Sequence, residues 1–143
     1  MTMLKSVRLA ATATLLAAAT TALAQETSPS DDVIATGRLR FERNCALCHG
    51  TDGRGFGPFL TQLNKKPPDL RLLSRNNAGY FPLKRVYDAI DGRMLPSSHG
   101  TTQMPIWGET FKSTVAGGSE TLVRGRILEL IMYLESIQAD GGV

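Results

Sequence analysis

The chain is poor in the residues from which many sites and scaffolds are made: only two cysteines, two histidines and one tryptophan, with aromatics at 6% of its 143 positions. Two cysteines exclude a multi-bridge disulfide framework and a four-cysteine zinc site. No useful stretch alternates apolar and polar residues with β-branched enrichment, which argues against a sheet, and no internal repeat is present. Charge of one sign is also lacking. The balance of 16 basic against 13 acidic residues, a formal +3, does not support a nucleic-acid partner. Paired catalytic carboxylates, a nucleophile with its base and a phosphate-cradling loop are all without support, so the expectation is a protein that is not an enzyme.

What is present begins with one long apolar run. Lys5 and Arg8 precede the Ala/Leu-rich stretch Leu9 to Ala19, and Ala22-Leu23-Ala24 follows. That order is a secretory signal peptide, residues 1–24, cut after Ala24; an uncleaved anchor helix is the alternative. Residues 25–32 form a polar, mobile leader and residues 33–143 one domain. Export places the protein in the periplasm or an equivalent oxidising compartment. No second run is long and apolar enough for an integral membrane segment. Removing Lys5 and Arg8 from the 16 basic residues leaves 14 against 13 acidic ones, a net +1, so the high pI says little about the mature chain.

Helical periodicity appears in three places. Ser30, Asp31 and Asp32 supply an N-cap and first-turn acids, and Val33, Ile34, Gly37, Leu39 and Phe41 permit a helix running into Cys45. Pro82 opens a short amphipathic helix with Leu83, Val86, Tyr87 and Ile90, ended by Gly92. Ser119 and Glu120 start the strongest one, whose stripe is Leu122, Val123, Ile127, Leu130, Ile131, Leu134 and Ile137, although Gly125 weakens it by about 1 kcal/mol. Between Gly50 and Asn77 the chain is rich in Gly, Pro, Asn and Asp and predicts loop. A loop that long needs an organiser other than secondary structure. The fold class is all-α.

Cys45-Ala46-Leu47-Cys48-His49 is C-x-x-C-H, the haem c attachment signature. Two thiols one helical turn apart can each form a thioether with a haem vinyl group, and the adjacent imidazole reaches the iron from the same side. A disulfide or a thioredoxin-like pair is the alternative for C-x-x-C alone, but the βαβ context of a thioredoxin is missing.

At these residues the sequence resembles the class I cytochrome c family over nearly all of the mature chain. Gly37-x-x-x-Phe41 lies ahead of Cys45, and Leu130-Ile131-Met132-Tyr133-Leu134 looks like the family's last helix. The resemblance implies the cytochrome c fold, few helices and long loops around one haem. It also implies that the first and last helices cross where Gly37 meets Tyr133, since a residue without Cβ lets backbones approach. The segment Gly50-x-x-Gly53-x-Gly55-x-Gly57-Pro58, with Pro67-Pro68-Asp69-Leu70, is similar to a bacterial version of the family. There the glycines let backbone pass close to the porphyrin, and the Pro58 carbonyl is expected to accept from the second ring nitrogen of His49.

The resemblance assigns the sixth iron ligand to Met104, in Gln103-Met104-Pro105-Ile106-Trp107-Gly108, ahead of His99 and then Met94. A thioether favours ferrous iron and raises the reduction potential relative to a second imidazole. Trp107 is expected to donate its indole N–H to a haem propionate, and Arg75 or Arg93 to neutralise one. Glu109 to Ser119, with Gly117-Gly118, looks like an added surface loop.

The expected cofactor is therefore one haem c bound through Cys45 and Cys48, and the expected function is one-electron transfer. The partners would be redox proteins, a donor dehydrogenase and an acceptor oxidase or reductase. A cytochrome subunit of a periplasmic dehydrogenase or oxidase complex is the alternative, and a haem sensor or catalyst with a displaceable distal ligand ranks below both.

Overall fold

The computed structural model describes residues 28–94 and 104–139, which are mostly helical with no strand among them. The expected signal peptide, most of the leader and His99 lie outside the described residues. Five α-helices occur in the order α1 (Pro29–Asn44), α2 (Ala46–His49), α3 (Leu83–Asp91), α4 (Trp107–Thr114) and α5 (Glu120–Ser136). No helix among the described residues is long and apolar enough to cross a membrane.

The first helix starts inside the segment expected to be leader. Ser28, rather than Ser30, is its N-cap, and the Ser28 hydroxyl accepts from the Asp31 amide at 3.4 Å. Asp31 and Asp32 face the positive end of the helix dipole, and Arg43 lies in the last turn, where a cation is favoured. The last helix is capped by Ser119, as expected, through the Leu122 amide.

These two helices form the frame of the molecule. Gly37 is pressed so closely against α5 that a Cβ there would overlap the Glu129 carbonyl and lie 3.0 Å from the Tyr133 Cβ. The expected meeting of Gly37 and Tyr133 is found. Beside it the Phe41 and Tyr133 rings are 5.3 Å apart and tilted, and Arg40 donates to Glu129 across the crossing at 2.8 Å.

The apolar stripe of α5 supplies most of the core: Val123, Ile127, Leu130, Ile131 and Leu134 are buried, joined by Phe41, Val86, Ile90 and Phe111. Leu122, expected in that stripe, is half exposed; it falls outside the arc that α1 and α4 cover. The third helix ends as expected at Gly92, in the left-handed conformation with φ 70°.

The segment Glu109 to Ser119 is not an added surface loop. Its first part is α4, and Phe111 and Val115 are buried in the core. Trp107, Phe111 and Val115 recur at a spacing of four, which puts one apolar face against α5 and leaves the intervening polar residues outside. The α-helix ends at Thr114; Val115 is extended, and Ala116–Gly118 form a 3-10 turn with Gly117 at φ 63° before the Ser119 cap of α5.

From Gly50 to Phe81 there are only short 3-10 turns, at Leu60–Gln62, Leu70–Leu72 and Arg75–Asn77, in keeping with the loop expected there. Polar links tie it to the frame. The Gln138 side chain donates to the carbonyls of Leu70 at 2.8 Å and Leu134 at 2.7 Å and accepts from the Ser74 amide at 2.9 Å.

Candidate functional site

The α1 helix does not stop cleanly at Asn44. The Cys45 amide still donates to the Phe41 carbonyl at 2.8 Å, and the chain then winds a further turn in which the amides of Cys48 and His49 donate to the Cys45 carbonyl at 3.1 and 2.9 Å. Cys45, Cys48 and His49 therefore share one helical turn. Ala46 is turned into the core and Leu47 outward. Gly50 ends the turn with φ 78°, a conformation that favours glycine.

The loop after the motif folds back onto that turn. The amides of Gly55, Gly57 and Phe59 donate to the carbonyls of His49, Cys48 and Leu47 at 2.7, 3.2 and 2.9 Å. These are carbonyls that a four-residue helix leaves without intrahelical partners. Contact is so close at Gly57 that a Cβ would overlap the Leu47 carbonyl and lie 2.6 Å from the Cys48 carbonyl carbon. A side chain on Gly55 would likewise strike the backbone of Pro67. Both glycines thus serve backbone packing around the motif.

Both thiols are half-buried and neither is in a disulfide. Burial, with Cys48 adding to it, pushes the Cys45 thiol up to about 12. Thiol-disulfide catalysis needs a nucleophilic cysteine whose pKa is lowered, so this environment argues against a thioredoxin-like pair. Burial also lowers the His49 imidazole below its usual value of 6.5, leaving it neutral at pH 7. Neutral imidazole is the form that ligates a metal.

The His49 Nδ1 atom is buried and has no hydrogen-bond partner. The expected bond from His49 to the Pro58 carbonyl is not formed. The loop is held to the turn by the amides of Gly57 and Phe59 on either side of Pro58, and Pro58 itself is exposed.

Met104 and Trp107 lie half-buried against the same core that Cys45 borders, and the Trp107 ring is 5.6 Å from that of Phe111. Of the rival ligands, Met94 is 84% exposed and His99 is outside the described residues. Arg75 is exposed. Arg93 is committed elsewhere: its Nε bonds Asp91 at 2.6 Å and its terminal nitrogen bonds Glu120 at 3.0 Å, so a propionate would have to compete with two carboxylates.

Among the described residues no three His, Cys, Asp or Glu side chains gather to hold a metal ion. The donor set fits haem c: two half-buried free thiols on one turn, a neutral imidazole beside them and a thioether bordering the same core. Large apolar side chains near the motif, Leu47, Phe56 and Phe59, are more than 40% exposed. A scan against protein families and searches of curated proteins and of solved structures found no match to this chain.

Proposed function

We propose that the chain is an exported class I c-type cytochrome, a periplasmic one-electron carrier with a single haem c. The observation that carries this reading is the shared turn of Cys45, Cys48 and His49, with free thiols and an imidazole that burial keeps neutral. The periplasmic assignment rests on the amino-terminal sequence pattern.

When bound, the haem supplies a ferric/ferrous couple. Cys45 and Cys48 hold it covalently, which matters in a compartment where a lost cofactor is not easily recovered. His49 and Met104 would ligate its iron, and Trp107 would offer its indole N–H to a propionate. Two protein ligands leave no coordination site for substrate, so this is electron transfer without catalysis, and a thioether as second ligand sets the couple toward the positive end. The net +1 of the mature chain falls to about −1 once two propionates are counted, in keeping with protein redox partners rather than nucleic acid.

The test is a redox titration of the purified holoprotein. It should follow a reversible one-electron curve, and the ferrous form should not bind carbon monoxide at neutral pH. Rapid carbon monoxide binding would replace this reading with that of a sensor or catalyst.

A further inference from the structure

A cleft of about 310 Å³ opens between α1, α4 and α5. That size is at the lower end of the range of about 300–1,000 Å³ in which small-molecule sites fall. Neither the turn of Cys45, Cys48 and His49 nor Met104 lines it, and no carboxylate does. Three guanidiniums are on its walls, those of Arg40 and Arg43 from α1 and of Arg126 from α5. Four other arginines have acids of their own: Arg38 pairs with Glu42, Arg54 with Asp52, Arg71 with Asp69 and Arg93 with Asp91. In the cleft only Arg40 does, donating to Glu129 at 2.8 Å, with its guanidinium carbon 5.9 Å from the centre of the Phe111 ring. Arg43 is exposed and has no ion pair among the described residues. Arg126 donates to a neutral group, the Thr114 hydroxyl, at 2.7 Å. That bond fixes the side chain without cancelling its charge.

We propose that this cleft binds a compact oxyanion of the phosphate class, with Arg43 and Arg126 as its principal donors and Arg40 behind them. The site is separate from the proposed electron transfer and does not depend on haem. Two uncompensated cations facing one concavity, with Leu39 and Phe111 as apolar wall, focus a positive potential there. A guanidinium is charged at every relevant pH and its fork matches a pair of oxygens. A carboxylate has two coplanar oxygens and satisfies one fork. A tetrahedral phosphate presents oxygens in several directions, so it can meet forks from α1 and α5 together, and its double charge balances the two unpaired cations.

The experiment titrates inorganic pyrophosphate into the purified exported protein at constant ionic strength set with chloride, followed by calorimetry and by backbone amide shifts. Saturable one-to-one binding is expected, with shifts centred on Leu39 to Arg43, Phe111 to Thr114 and Arg126. Arg43→Gln and Arg126→Gln should each weaken it about tenfold, the loss of one charge-assisted donor. Arg85→Gln removes the same charge from an exposed arginine of α3 and should leave binding nearly unchanged. A circular dichroism melt checks that the variants fold, and if Arg126→Gln does not, the exposed Arg43→Gln carries the comparison alone. A second arm measures cosedimentation with phosphatidylglycerol vesicles against phosphatidylcholine ones. Cosedimentation that is lost in the same variants assigns the phosphate to a lipid headgroup, and pyrophosphate binding without it assigns a free anion. Acetate binding as tightly as pyrophosphate, affinity indifferent to Arg43 and Arg126, or no binding in either arm overturns the proposal.

Discussion

The crossing of α1 and α5 and the region around the C-x-x-C-H turn are held by different forces. In the crossing, Val123, Ile127, Leu130, Ile131 and Phe41 are almost fully buried, and the stabilisation is apolar area removed from water. Around the turn, Leu47, Phe56 and Phe59 remain well exposed, and order comes from backbone amides, glycine contacts and the Gln138 links. One region has a core of its own. The other has the polar scaffolding of an ordered loop and a surface that a cofactor would cover.

The largest effect should come from removing that cofactor. A Cys45→Ala, Cys48→Ala double variant is expected to be largely unfolded or degraded, because a loop-rich domain of this size has a limited core without the proposed haem. A cooperative melt with native helical content would show instead that the crossing is sufficient alone.

Next in size is Gly37→Leu, which forces a side chain into the Glu129 backbone. It should cost about 3 kcal/mol, read by chemical denaturation, and bring down both regions together. Gly57→Ala drives a methyl group against Leu47 and Cys48. A loss of about 1 to 3 kcal/mol is expected, with a lower yield of haem-loaded protein, and the crossing should keep its amide protection. Equal loss of protection in both regions would erase the distinction drawn between them.

A ligand substitution separates the regions further. Met104→Ala should open the sixth position, lower the reduction potential and let the ferrous protein bind carbon monoxide, while the melt of α1 and α5 changes little. His99→Ala should leave the spectrum almost unchanged. If the two results are reversed, the iron has two histidine ligands.

The smallest effect is acidic. Lys112 first, and Arg93 second, hold the Glu120 carboxyl below its usual value. A carboxylate lowered in the folded state stabilises above its unfolded pKa, and that contribution is lost as pH falls through the folded value. The difference in melting temperature between wild type and Glu120→Gln should therefore narrow on acidification below the usual carboxylate range. A constant difference across that range would deny the ion pairs this role.

Much of the crossing was legible in the sequence because it is written in period and in side-chain size. The α5 stripe, its Ser119 cap, the Gly92 stop of α3 and the meeting of Gly37 with Tyr133 all follow from local pattern or from the family resemblance. The α4 helix escaped because Gly117-Gly118 and the polar residues from Glu109 to Thr114 masked the spacing of Trp107, Phe111 and Val115. Leu122 was misplaced because periodicity defines a face but not the width its neighbours cover.

At the site, the motif placed Cys45, Cys48 and His49 on one turn, and the structure agrees. The contacts that close the loop on it, Gly57 against Cys48 and Gly55 against Pro67, join backbone to backbone and leave no residue-type signature beyond glycine. Gln138 was invisible for a related reason: a single glutamine near a chain end carries no pattern, and its partners are main-chain atoms. The partners of Arg93 were not legible because sequence cannot show that Asp91 and Glu120 occupy its guanidinium.

The account depends most on one covalent haem at Cys45 and Cys48. The direct measurement is the intact mass of the exported protein from cells competent in cytochrome maturation, taken after denaturation and alongside a haem stain. The predicted result is a chain beginning after Ala24 and heavier by one haem, with the stain retained and lost in the double cysteine variant. An unmodified mass with no stain would contradict it.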